Sequence, residues 1–111
     1  MPSVARLNDP ITGTTAGEHS GHANPHSPET ITGNISGNCS SNVFTNNIPT
    51  AYVGSITDEY DSCCGMSNGS VAEGSSTVFV NSIPIARKGD ALNAHNGTGY
   101  ILEGSPNVFA N

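Results

Sequence analysis

The sequence predicts an all-β fold in which one small β unit recurs around a common axis. Three observations carry the prediction. The first is a repeat. Val78-Phe79-Val80-Asn81-Ser82-Ile83-Pro84-Ile85-Ala86-Arg87-Lys88-Gly89-Asp90 matches Val43-Phe44-Thr45-Asn46-Asn47-Ile48-Pro49-Thr50-Ala51-Tyr52-Val53-Gly54-Ser55 without a gap. Ser3-Val4-Ala5-Arg6-Leu7-Asn8-Asp9 matches the tail of that unit, and Val108-Phe109-Ala110-Asn111 its beginning. Self-similarity of this kind identifies a supersecondary unit that buries its apolar face against its own copies. The second observation is local alternation: in Thr77-Val78-Phe79-Val80-Asn81, Val78 and Val80 share one face of a strand and Phe79 takes the other. The third is the absence of any sustained 3.6-residue periodicity or capped helical run.

The elements follow in order. The tail at Val4 to Asp9 leads into a long loop over 10–30, then a strand near 31–35 and a turn over 36–41 that carries an insertion. Val43-Phe44 starts the next strand, and Ile48-Pro49 through Gly54-Ser55 closes that unit. A second loop spans 57–70, after which Val71 to Ser75 leads into Val78-Phe79. The third loop spans 92–99 and is followed by Tyr100 to Ser105 and Val108-Phe109. Gly74-Ser75 and Gly104-Ser105 stand where turn residues belong, while the first copy has Cys39 in place of the Gly. Pro49 and Pro84 cannot donate to a ladder and belong at strand starts or edges.

At 111 residues the chain is sized for one domain. Only 34% of its residues are hydrophobic and Trp is absent, so another source of stability is required. A net charge of −6 with three basic residues excludes nucleic acid and anionic membrane surfaces as partners. No apolar stretch approaches the ~20 residues that a bilayer span requires. The first residues show neither the basic region nor the apolar run of a signal peptide, which points to synthesis in the cytoplasm. Three cysteines cannot complete an internal disulfide framework. In a reducing compartment, thiols near histidines read as metal ligands.

The three loops hold the metal-binding chemistry. His19, His22 and His26 are in the first, Cys63 and Cys64 in the second and His95 in the third. If the repeats wind about one axis, equivalent loops emerge at one end and these residues converge. Three imidazoles and one thiolate suit a tetrahedral zinc shell. His95 is the sole candidate in its loop, and His26 precedes Ile31 much as His95 precedes Ile101. His22 is preferred to His19, and Cys63 to Cys64, since counting back from Val71 favours the former thiol. Cys39 falls in a strand-connecting turn and reads as a small packed residue.

Other motifs are weaker. Asp58-Glu59-Tyr60-Asp61 lacks the alternation and Gly of a calcium loop and reads as a solvated acidic loop. Asn93 to Gly99 lacks the Lys and following helix of a phosphate loop. No G-x-S-x-G is present, so the many serines read as turn formers.

The units Ile83-Pro84-Ile85-Ala86-Arg87-Lys88-Gly89-Asp90 and Ile48-Pro49-Thr50-Ala51-Tyr52-Val53-Gly54-Ser55, each after Val-Phe-x-Asn, resemble the PAAR-repeat proteins. These are tip proteins of contractile injection machines: type VI secretion systems, phage tails and related particles. Pro84-Ile85-Ala86-Arg87 stands at the family's motif, with Pro49-Thr50-Ala51-Tyr52 and Ser3-Val4-Ala5-Arg6 as further copies. The second copy has Gly54-Ser55 where the third has Gly89-Asp90. The resemblance covers 1–111 as a single PAAR-repeat domain. It implies a small cone of short β-hairpins with pseudo-threefold repeats, its apex pinned by a structural zinc ion held by His22, His26, Cys63 and His95.

The implied function is a non-enzymatic, metal-stabilised tip that caps and sharpens a trimeric β-helical membrane-piercing spike. Its partners would be that spike, bound through the base, a separate effector chain, and the target cell envelope at the apex. No toxin domain is expected within the chain. Assembly on the particle would deliver it outside the cell or into the target. Two other classes remain open from the residues alone: a small zinc-dependent hydrolase, and a β-repeat adhesin or carbohydrate-binding module.

Overall fold

The computed structural model describes residues 2–15, 30–61, 65–94 and 97–111. Ten strands are present and, among the described residues, no helix. They are β1 (Pro10–Thr15), β2 (Thr30–Gly37), β3 (Phe44–Thr45), β4 (Ile48–Pro49), β5 (Ile56–Asp61), β6 (Gly65–Val71), β7 (Phe79–Val80), β8 (Ile83–Pro84), β9 (Ala91–Asn93) and β10 (Gly97–Ile101). Six of them close into a barrel in the order β1-β10-β9-β6-β5-β2, and every neighbouring pair is antiparallel. The other four form two short hairpins, β3-β4 and β7-β8. The molecule measures 44 × 23 × 23 Å, with two equal short axes as an axial repeat requires.

The all-β expectation is met, but the three long loops are corrected. Residues 10–15, 56–61, 65–71, 91–93 and 97–101 pair in register as barrel strands. Their Gly, Ser, Thr and Asn content mimics turn chemistry, yet closure of a narrow barrel demands small side chains. A Cβ at Gly33 would collide with the carbonyl of Asp58, and one at Gly13 with that of Thr98. Neighbouring strands approach more closely at these positions than any other residue permits. The acidic run Asp58 to Asp61 lies in β5, not in a solvated loop. Glu59 there is 1% exposed, whereas Tyr60 points outward.

The repeat is visible in hydrogen bonds. At the axis the Ala5 amide donates to the Ala86 carbonyl (2.9 Å), Ala86 to Ala51 (3.0 Å), and Ala51 back to Ala5 (3.0 Å). This closed three-membered cycle joins the third residue of each Pro-x-Ala-Arg-like unit, and all three alanines are fully buried. Around it, Leu7, Val53 and Lys88 donate to the carbonyls of Pro49, Pro84 and Ser3 in turn. Above it, Ile11, Ile35, Val71, Leu92 and Ile101 fill the barrel floor, and Ile31 of the same core lies higher, level with Gly13.

Each unit carries the same hairpin. Asn46-Asn47 and Asn81-Ser82 have φ of 55° and 65°, and 52° and 66°. Two successive positive φ values define the two-residue turn that matches strand twist, which explains the Asn preference. In the first unit the hairpin is built from both ends of the sequence: Ser3 bridges Phe109, and the Ala110 amide donates to the Pro2 carbonyl. The buried hydroxyls of Ser40, Ser75 and Ser105 accept from the amides of Val43, Val78 and Val108, each at 2.9 Å. These are the serines that the repeat had marked as turn residues. A Cβ at Gly74 or Gly104 would meet backbone of the neighbouring strand. The first copy accommodates Cys39 by a one-residue register shift between Ile35 and Gly37, the insertion seen in the sequence.

The replacement of Asp by Ser at position 55 also has a physical account. In the first and third units Asp9 and Asp90 accept from the backbone amides of Arg6 and Arg87 (2.8 Å each) and pair with their guanidinium groups at 2.8 Å. The hydrogen-bonded carboxylate raises each Arg above its ordinary pKa. In the second unit the Arg position is Tyr52, and the Ser55 hydroxyl accepts its amide at 3.0 Å. The turn bond is kept while cation and anion disappear together, leaving no buried charge unmatched.

Two outcomes follow. Ala51→Leu should overpack the axis and destabilise the protein by about 1–3 kcal/mol or more in urea denaturation. Ser55→Asp should destabilise the protein alone, and Tyr52→Arg in the same chain should recover about 0.5–3 kcal/mol in a double-mutant cycle.

Candidate functional site

Because adjacent barrel strands alternate in direction, the connections β1 to β2, β5 to β6 and β9 to β10 all leave the barrel at one end. The β3-β4 and β7-β8 hairpins lie in the connections at the opposite end, together with the pairing of Ser3 and Phe109. The molecule thus has two ends of different chemistry, called here apex and base.

At the apex, Thr15 pairs with Gly97 and Asp61 with Gly65, which brings the ends of the three ligand-bearing connections to one rim. His19, His22, His26, Cys63, Cys64 and His95 themselves lie outside the described residues. Among the described residues no group of His, Cys, Asp or Glu is arranged to hold a metal ion. Cys39 is the described thiol, and it sits away from this rim. It packs half-buried against the barrel core with its Sγ 3.7 Å from the Gly37 carbonyl. Burial pushes its thiol pKa up, and a hydrogen bond with Ser55 pulls weakly against that. Cys39 is thus a partly buried side chain packed against the barrel core.

The barrel narrows its contents toward the apex. Above that floor, the inward positions hold Gly13, Gly33, Gly69 and Gly99 with Ile31, Glu59, Ser67 and Ala94. Little apolar area remains to be buried there. Rigidity at this end has to come from backbone pairing and from whatever joins the three connections.

The base presents a feature that the search for ligands passed over. Phe44, Phe79 and Phe109 are 54%, 54% and 48% exposed, at equivalent positions of the three hairpins. Val43 and Val108 beside them are exposed as well. Beneath them Val4, Val80, Ile85 and Ala110 form a second small core, while the second unit substitutes a buried Thr45–Thr50 hydroxyl pair at 2.8 Å. The signal was present in the sequence. A Phe recurring in every copy at the outward position of an alternating strand is an apolar patch with the symmetry of the repeat.

The PAAR motif family profile matches residues 19–95 and again 67–111. The chain belongs to the PAAR-motif family. The two overlapping matches run from the first long connection to the last residue, as successive copies of one unit would. No curated protein matches the chain. Membership accounts for the all-β repeat and places the protein among components of contractile injection machinery that associate with a spike.

The Cys39 environment makes a pH prediction. The folded thiol ionises at higher pH than the unfolded one, whose ordinary value is 9.0. Its contribution is therefore constant below about pH 9 and is lost as pH rises through the folded value. Urea denaturation between pH 7 and 10 should show a steeper alkaline decline for the native chain than for Cys39→Ala.

Proposed function

We propose that this PAAR-motif protein, acting as one unit over residues 1–111, is the metal-stabilised tip that caps and sharpens a trimeric β-helical spike. The observation that carries the reading is the pairing of threefold pseudosymmetry with two unlike ends. A trimeric spike ends in three equivalent chains, and a docking surface for it must offer the same patch three times. Phe44, Phe79 and Phe109 supply such a patch. Burying one Phe side chain is worth about 1.5–3 kcal/mol. The short hairpin edges beside them can continue the spike's β structure once docked. Alone, such apolar edges are an aggregation liability.

The apex takes the opposite solution. Its interior is lined largely by glycine and polar groups and holds little core, so a single cross-link between three connections is an economical way to make it stiff. His22, His26, Cys63 and His95 are the proposed ligands, with His19 and Cys64 as alternates. Three His and one Cys suit zinc, whose structural sites are four-coordinate and closed. When bound, the ion supplies cohesion of roughly 10 kcal/mol or more, and a filled shell leaves no position for a reacting water. The role is mechanical, not enzymatic. The base transmits thrust from the spike, the apex meets the target envelope, and a separate effector chain rides with them. The tip leaves the producing cell with the particle, whether of type VI, phage-tail or related kind.

Two measurements test this. Purified protein should contain about one zinc per chain, and His95→Ala should lose it with a fall in melting temperature above ~10 °C. Retention of both metal and stability would remove the zinc apex. The triple variant Phe44→Ser, Phe79→Ser, Phe109→Ser should abolish capping of the spike trimer in a pull-down. Its melting temperature should shift only slightly, because these side chains are half exposed.

A further inference from the structure

The base carries no charged side chain. Residues 2–5, 38–56, 74–86 and 104–111, which build its hairpins and the turns that launch them, contain no Asp, Glu, Lys, Arg or His. Chain ends aside, the net charge of −6 is carried wholly by the rest of the sequence. Charged side chains that flank these stretches are engaged elsewhere: Glu73 accepts from the Ala91 amide at 3.1 Å, and Glu103 faces Lys88 at 3.5 Å. Arg6 reaches toward the base, donating to the Asn46 Oδ1 at 3.2 Å, but Asp9 already matches its charge.

The polar side chains of the base are also turned on one another. Asn81 donates from Nδ2 to the Asn42 Oδ1 at 2.9 Å, and its own Oδ1 accepts from the Ser40 hydroxyl at 2.7 Å. Asn46 repeats the arrangement, donating to the Asn107 Oδ1 at 2.8 Å and accepting from the Ser105 hydroxyl at 2.6 Å. At the third seam the Ser75 hydroxyl donates to the Asn111 carbonyl. Each hairpin is thereby clasped to the turn of a neighbouring unit, and these amides and hydroxyls are largely spent within the chain. What remains facing outward is Phe44, Phe79 and Phe109 with Val43 and Val108.

A charge pressed against such a surface loses its water and finds no counter-charge, which is costly. We propose that the base accepts only a partner end that is itself uncharged and apolar, so that docking proceeds without electrostatic steering and is indifferent to ionic strength. This rests on the spike-docking reading of the base and adds what the spike's end must be made of. Selectivity then comes from the threefold placement of the Phe side chains, and the acidic remainder of the chain keeps the free protein soluble.

The test measures binding of the full chain to a trimeric β-helical spike from a contractile injection particle of the same cell, by surface plasmon resonance. Sodium chloride is varied from about 0.1 to 1 M, over which the screening length falls from ~10 to ~3 Å. Affinity should change less than about threefold, with association near 10⁵–10⁶ M⁻¹s⁻¹ throughout, the range of unsteered docking. A loss of about tenfold or more with salt would overturn the proposal. Val43→Glu and Val43→Lys should both weaken binding, and Val43→Ser less than either. Weakening by one sign and strengthening by the other would reveal a charged partner end and refute the idea. Melting curves identify a variant that fails to fold, in which case the salt series on the native chain decides. A native chain that binds no spike at any salt would instead sink the docking reading itself.

Discussion

The hydrogen-bonded cycle of Ala5, Ala51 and Ala86 is the constraint on which the rest of the molecule depends. Three backbone strands meet at one axis, each amide satisfied by the next carbonyl, and only a methyl group fits between them. Everything outward of the ring inherits its symmetry. The paired turns at Asp9, Ser55 and Asp90 brace it, and the serine-capped turns at Ser40, Ser75 and Ser105 launch the hairpins. Because a buried amide must be paired, no unit can lose its place in the cycle without exposing two others. Cooperation of this sort substitutes for the large core that so few apolar residues could not build.

From that ring the chain departs in two directions with different physics. Toward the base, apolar side chains point outward and find little of their own chain to cover them. Toward the apex, six strands close around a narrow bore, and glycine and polar side chains displace much of the usual aliphatic filling. The two ends therefore differ in chemistry: one exposes apolar side chains, and the other is lined largely by glycine and polar groups.

Much of this was legible beforehand, and the parts that were not share a cause. The repeat frame, the all-β class, the hairpin turns and the insertion near Cys39 could be read because they rest on residues with strong local meaning: Asn-Asn, Asn-Ser, Pro, Gly-Ser. Strands β1, β5, β6, β9 and β10 were hidden in whole or part, since stretches such as Gly65-Met66-Ser67-Asn68-Gly69 carry loop chemistry and become strands only through closure of the barrel. Propensity yields to tertiary context there. Glu59 was misread with them. An acidic run looks solvated unless the period of two is applied, and that period needs the strand to be known first. The expected ligands His22, His26, Cys63 and His95 lie outside the described residues, while the strand ends that flank their connections are described.

The pairing of Ser3 with Phe109 bears on how the protein folds. Residues 3–5 find their partners far along the chain, at residues 86–87 and 105–110. Two hairpins can form locally, but the barrel cannot close until β10 lies beside β1. Contacts of such wide sequence separation slow folding and leave strand edges open in the interim. Closure of the barrel, not local structure formation, therefore sets the moment at which this molecule becomes a closed body.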